Sequence, residues 1–309
     1  MKNQFEQSHV LLFAGQGNPV IGMGADLWGL NTLTRNIWDC ASDITGMDVR
    51  RLCQKGPMNR LVKTTVQQIA VTAINVTLYT LCTKKLEKES VVGSCGHSVG
   101  EYSALYAAGA ISMEDLFRII HVRSNIMNNL SQIYKGAMLA VKGTDYQSMF
   151  RLISDSMLSL DICCDNSQFQ QVIGGELADV NEFSRVLIGS GFEVVKLGVS
   201  GAWHTHLMAE GVQLMRDFLQ QVYIGQPGYP VFMNVTGQEE FNPQKIKENL
   251  SLHLTNTVRW TTSMTSFLQP SAPVMFFEIS NKAYLGQLLK DFDNFRTENV
   301  THCRKWVEC

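Results

Sequence analysis

The spacing of apolar and polar positions changes several times along the chain, and each change predicts an element. HVLLFAG (9–15) is an unbroken apolar run that stops at a glycine, the pattern of a strand buried on both faces. TTVQQIAVTAINVTLYTLCTKKL (64–86) is long enough for a helix and carries lysines near its end, which complement the macrodipole. SVVGSCGHS (90–98) predicts a second buried strand, and VGEYSALYAAGA predicts a helix of small residues after it. MEDLFRIIHVRSNIMNNL (113–130) predicts the next helix. Strand, glycine turn and helix in repetition point to a parallel sheet with crossover helices.

The middle of the chain follows another rhythm. GAMLAVKG (136–143), a helical stretch, LDICCDN (160–166), QQVIGG (170–175), a second helical stretch and FEVVKLGVS (192–200) give the order β-α-β-β-α-β. That order predicts a small ferredoxin-like α+β insert over 131–198. Residues 1–130 and 199–309 then form one large α/β domain, with YPVFMNVTG (229–237) and VMFFEIS (274–280) as further strands. No internal repeat or low-complexity linker interrupts the pattern.

Composition narrows the function classes. The formal net charge is −2, with 45% hydrophobic and 17% charged residues, which argues against a nucleic-acid binder. No apolar run reaches about 18 residues, so no membrane span is expected. The opening apolar stretch is too short for a signal-peptide core. The eight cysteines contain no C-x-x-C spacing and predict free thiols in a reducing cytoplasm, with no bound metal.

Gly96-His97-Ser98-Val99-Gly100 fits G-x-S-x-G, in which a serine sits on a sharp strand-to-helix turn. The helix behind it aims free N–H groups and its positive end at the serine oxygen. An oxyanion formed there would meet the N–H of Val99. A tight turn with no chemistry is the competing reading. A nucleophile also needs a base. Among seven histidines, His204 and His206 in GVSGAWHTHLM (198–208) have the best setting, a loop before a helix, and spacing does not choose between them.

Arg123 falls on the apolar stripe Leu116, Ile120, Met127, Leu130 of helix 113–130. A guanidinium there needs an anion: an internal ion pair, a snorkelling path to solvent, or a substrate carboxylate held by its fork. Gly15-Gln16-Gly17 fails the G-x-G-x-x-G dinucleotide pattern because residue 20 is Val. The loop could instead lend a second backbone N–H to the oxyanion.

Several of these stretches in order resemble one family, the malonyl-CoA:acyl carrier protein transacylases, including the acyltransferase units of fatty-acid and polyketide synthases. FAGQG, GHSVGEYSAL, Arg123 at 25 residues after Ser98, GAWHTHLM, NVTG, HLTNTVRW and FFEIS carry the resemblance, which runs almost the whole chain. It implies a hydrolase-like α/β domain with a ferredoxin-like insert. It also implies ping-pong acyl transfer, with Ser98 as nucleophile and His204, rather than His206, as base. Further implied are an oxyanion hole from the backbone of Gln16 and Val99, Arg123 as carboxylate clamp, and Gln68 and Asn166 lining the pocket. A backbone carbonyl near Asn256 is expected to orient the histidine. No cofactor is bound; acyl-CoA or acyl-phosphopantetheine is substrate. An acyl carrier protein is the expected partner, the donor is acyl-CoA or an acyl-carrier, and a cytoplasmic monomer is expected.

Three departures stand out. Trp203 replaces the family's usual Phe, Thr205 its usual Ser, and NKAYLGQLLK lacks its Gly-Pro. Trp203 alters the pocket wall near C2, which brings in a substituted malonyl unit such as hydroxymalonyl or aminomalonyl. A thioester hydrolase of the same fold shares Ser98 and His204 but has less use for Arg123. A scaffold without chemistry conflicts with the intact serine and histidine.

Overall fold

The computed structural model describes residues 8–17, 19–83, 90–268 and 274–307. Lys84, Lys85 and Lys88, a basic cluster in the sequence that would suit an acidic carrier protein, lie outside the described residues. Strand β1 (His9–Phe13) is followed by helices α1 (Thr32–Thr45), α2 (Val49–Lys55), α3 (Met58–Leu61) and α4 (Thr64–Cys82). Then come β2 (Val91–Gly96), α5 (Gly100–Ala107) and α6 (Met113–Ile133). The middle segment runs β3 (Gly136–Lys142), α7 (Tyr146–Ser156), β4 (Leu160–Ser167), β5 (Gln170–Glu176), α8 (Leu177–Gly189) and β6 (Glu193–Lys196). The chain closes with α9 (Ala209–Gln220), β7 (Val231–Phe232), β8 (Glu239–Glu240), α10 (Pro243–Leu252), α11 (Trp260–Phe267), β9 (Met275–Ile279), α12 (Leu285–Leu288) and β10 (Val300–His302).

Two sheets result. The larger has the order β10-β9-β1-β2-β7-β8, parallel except for the β7–β8 hairpin. The smaller has the order β4-β5-β3-β6 and is antiparallel, which is the ferredoxin-like arrangement of a β-α-β-β-α-β chain. The fold is thus the expected α/β sheet with a small α+β unit.

The period of two along β3 explains how the smaller sheet seats itself. Ala137, Leu139 and Val141 join Met149, Ile173 and Phe183 in a separate core beneath α7 and α8. Met138, with Cys163, Cys164 and Val172 of neighbouring strands, faces the other way and merges with the large core. Both faces of the small sheet are therefore apolar, and the second is covered by the large unit.

Helix α6 starts where Ser112 caps it, its side chain accepting the N–H of Asp115, and Glu114 and Asp115 suit the positive end. The predicted stripe Leu116, Ile120, Arg123, Met127 and Leu130 is buried in full. The strand expected over 229–237 is only two residues long. Beyond Phe232 the backbone turns out of the sheet because the N–H of Asn234 is taken by the buried carboxyl of Glu101 at 2.5 Å.

The crossing of β1, β2 and α5 leaves no room for side chains at two glycines. A Cβ on Gly96 would sit 1.9 Å from the carbonyl carbon of Gly100, and one on Gly100 would sit 2.2 Å from the carbonyl oxygen of Phe13. Backbone cannot move aside as a flexible side chain does. Gly100→Ala is expected to lower the free energy of unfolding by about 2 kcal/mol or more. Urea titration of the variant measures this, and an unchanged midpoint would contradict the packing described.

Candidate active site

β1, β2 and β9 are parallel, so their carboxyl ends open on the same side, where ligands of such sheets bind. The GQG loop leaves β1 there, Ser98 leaves β2, and Ser280 leaves β9. Ser98 lies between β2 and α5 with φ of 51°, in the left-handed region that residues with a side chain avoid. The turn is held by Asn234, whose Oδ1 accepts the Ser98 N–H at 2.8 Å and whose Nδ2 donates to the Gly96 carbonyl at 2.6 Å.

The loop before α9 brings the imidazole of His204 to this turn. Its Nε2 lies 2.9 Å from Ser98 Oγ, across 106 positions of sequence. His204 also has a left-handed backbone, φ 61°. Its Nδ1 donates to the carbonyl oxygen of His253 at 2.7 Å, which fixes the tautomer with Nε2 free to accept. The expectation that Asn256 supplies this carbonyl is corrected. His253 ends α10, where carbonyls lack helical partners, whereas Asn256 caps the same end by donating from Nδ2 to Leu252 at 2.8 Å.

Burial pushes His204 well below the usual imidazole range, and the neighbouring His253, Arg123 and His97 push the same way. The base is therefore neutral at neutral pH, as proton abstraction requires. His206, the other histidine of the segment, lies outside the cavity. Its Nδ1 is 2.6 Å from Asp161 of β4, its N–H bonds the same oxygen at 2.9 Å, and its Nε2 is 3.3 Å from Ser159 Oγ.

A cavity of about 450 Å³ opens beside the dyad. Gln16, Gln68, Asn166, Trp203, Ser98 and His204 all line it. Asn166 also fixes His97, its Oδ1 lying 2.8 Å from His97 Nε2. Gln68 is held at both ends, donating to Thr64 Oγ1 at 2.7 Å and accepting from Arg123 Nη1 at 2.5 Å. Thr64 in turn donates to Gln16 Oε1 at 3.1 Å.

Arg123 stands behind this wall, fully buried, with its guanidinium over the ring of Tyr102 at 5.5 Å. Its Nε and Nη2 are buried without an acceptor. A buried cation with two unused donors is costly, and a carboxylate would satisfy both at once. The backbone N–H groups of Gln16 and Val99 likewise have no internal acceptor among the described residues. Glu278, fully buried at the end of β9, accepts the N–H groups of Tyr284, Leu285 and Gly286 and so shapes the 280–284 segment at the cavity rim.

Three residues of this site were not singled out from the sequence: Glu101, Asn234 and His253. Glu101 had a signal. A carboxylate within the small-residue helix VGEYSAL is as anomalous as Arg123 on its stripe. Asn234 and His253 act through contacts of long sequence separation, and their signal was only that they open NVTG and HLTNTVRW, two of the stretches that carry the family resemblance. Among the described residues no three His, Cys, Asp or Glu side chains gather as metal ligands would, and no helix is long and apolar enough to cross a membrane.

Comparison with known proteins adds to the geometry. The family described as acyl transferase domain matches residues 10–304. A malonyl CoA-acyl carrier protein transacylase of Bacillus subtilis is 30% identical over 286 residues, 92% of this chain and 71% of that protein. A polyketide-biosynthesis malonyl CoA-acyl carrier protein transacylase of B. subtilis strain 168 is 30% identical over 273 residues, 87% of this chain and 91% of that one. Among solved structures, a type II polyketide-synthase acyl carrier protein in complex with its malonyl-transacylase superposes with a TM-score of 0.87. The identity there is 29%, over 96% of this chain and 94% of that one.

The neutral base predicts how Ser98 responds to pH. Labelling by a fluorophosphonate is expected to keep its rate as pH falls through 6.5, declining only well below it, because the depressed His204 stays unprotonated there. His204→Ala is expected to lower labelling at least about a hundredfold. A decline centred at or above 6.5 would contradict the assignment.

Proposed function

The chain belongs to the acyl transferase domain family, and on that premise we propose that it transfers a malonyl-type acyl unit from a thioester to the phosphopantetheine thiol of an acyl carrier protein. Malonyl transfer to a carrier is what the names of its relatives describe. The observation that carries the reading to this chain is Arg123, a buried guanidinium with Nε and Nη2 unused, whose charge acts on His204. An acyl group ending in a carboxylate supplies the missing acceptor.

In the first half-reaction Ser98 Oγ attacks the thioester carbonyl and His204 Nε2 takes the hydroxyl proton. The N–H groups of Val99, at the start of α5, and Gln16 receive the oxyanion. Collapse breaks the C–S bond, the thiol leaves with the proton from His204, and the acyl group remains as an ester on Ser98. In the second half-reaction the carrier thiol gives its proton to His204, attacks the ester carbonyl, and Ser98 recovers its proton as the C–O bond breaks. Acyl-CoA or an acyl-carrier serves as donor. The 131–198 unit forms one wall of the cleft and the 1–130 and 199–309 unit the other, in a monomer working in the cytoplasm.

A second reading, a malonyl unit bearing a hydroxyl or amino group at C2, is favoured by Trp203. Its ring lines the cavity and its indole N–H has no acceptor.

Incubation with malonyl-CoA is expected to add one malonyl mass to the protein, absent in Ser98→Ala. Arg123→Ala is expected to lower kcat/KM for malonyl by about a hundredfold or more, the loss of a buried ion pair of ~3 kcal/mol or more. Transfer or release of a neutral acyl group is expected to survive that change. No adduct with malonyl-CoA or any malonyl-carrier thioester would sink the proposal, and release of neutral acyl groups in preference to malonyl transfer would favour a hydrolase.

A further inference from the structure

One carboxyl group touches both arms of the dyad. Glu101, in the first turn of α5, is fully buried. Its Oε1 accepts the N–H of Asn234, whose side chain holds the Ser98 turn. Its Oε2 lies 2.9 Å from Nδ1 of His253, also fully buried, whose carbonyl orients His204. The rings of His253 and His204 stack with centroids 4.7 Å apart.

The charge state of this pair matters because of Arg123. Burying a lone carboxylate is costly, and the obvious counter-ion would be that guanidinium. Yet no Glu101–Arg123 ion pair forms among the described residues: Arg123 Nη1 goes to the amide of Gln68, and Nε and Nη2 stay unused. Nor is His253 a hydrogen-bonded partner, since at 2.9 Å neither Glu101 Oε2 nor His253 Nδ1 finds hydrogen-bond geometry; a buried carboxyl without a counter-charge has the alternative of keeping its proton.

Resting on the malonyl-transfer reading, we propose that Glu101 keeps its proton beside an uncharged His253, and that this neutrality reserves Arg123 for the carboxylate of the acyl substrate. Glu101 is thus a positioning residue that also keeps the substrate's charge partner free. The charged and titratable groups facing it are Arg123 from α6, Tyr102 from α5, Cys95 from β2, His253 at the end of α10, and His204 beyond it. Burial raises Glu101 to about 8, against the opposing pull of the Asn234 N–H and Arg123. Burial also holds His253 well below 6.5, with Arg123 and His97 acting in the same sense. At pH 7 the proton therefore resides on Glu101. As pH rises past about 8 the carboxyl ionises, Arg123 gains an internal counter-ion, and the acyl carboxylate must compete with it.

The test is acylation of Ser98 by malonyl-CoA and by acetyl-CoA between pH 6.5 and 9.5, in wild type, Glu101→Ala and Glu101→Gln. The apparent KM for malonyl-CoA is expected to rise at least about fivefold across that range, with acetyl-CoA flat. Glu101→Ala is expected to lower kcat about tenfold, since Asn234 loses its anchor and His253 its packing neighbour. Glu101→Gln, the isostere of the protonated acid, is expected to recover most of that loss and to abolish the alkaline rise in KM. An alkaline rise equal for both acyl groups, or none for malonyl, overturns the inference even if both variants fail to fold. A folded Glu101→Gln no better than Glu101→Ala overturns it as well. Absence of any malonyl adduct at every pH counts instead against the acyl-transfer reading itself.

Discussion

The 2.9 Å contact between Ser98 Oγ and His204 Nε2 is made by two residues that both carry a left-handed backbone. Such conformations cost of order 1–3 kcal/mol each and persist only where the surroundings over-determine them. On the serine side, Asn234 grips both the Ser98 N–H and the Gly96 carbonyl, and the glycine crossing fixes α5 against β1. On the histidine side every neighbouring residue is tethered. The Trp203 N–H reaches Met138 Sδ, Thr205 Oγ1 donates to the Ala202 carbonyl, and the His206 N–H bonds Asp161. The strain at the dyad is thus maintained by two sets of bonds, one in each arm, with Glu101 lying between them.

Around this contact the electrostatics are lopsided. Three imidazoles, His97, His204 and His253, are driven neutral by burial, and a single guanidinium sits among them. In a low-dielectric interior a lone cation acts strongly on whatever enters. It disfavours a protonated base and favours an anionic end on the bound group. One residue therefore adds to the effect of burial in keeping His204 neutral and, on the function proposed, favours an acyl chain that ends in a carboxylate. The chain Gln16–Thr64–Gln68–Arg123 holds that guanidinium in register with the loop that leaves β1.

Much of this was legible in the sequence, for local reasons. The apolar run 9–15, the G-x-S-x-G turn and the stripe through Arg123 each express a pattern within one element, and periodicity reads such patterns well. The order of middle strands gave the small sheet because a β-α-β-β-α-β chain has few ways to pair. What failed was non-local. The 229–237 segment looks like a strand by composition, but a carboxyl 133 positions earlier in the chain captures the N–H of Asn234 and bends it away. The carbonyl that orients His204 belongs to His253 and not Asn256, a matter of where α10 ends, and helix ends are the least certain feature of a sequence reading. Glu101 was visible as a charge among small apolar residues, the same anomaly that singled out Arg123.

The bond between His206 and Asp161 crosses from the large unit to the first long strand edge of the small one, two residues past the base. The two layers of the molecule are consequently geared together. A guest that pries the small sheet outward pulls on the same peptide segment that sets the reach of the imidazole.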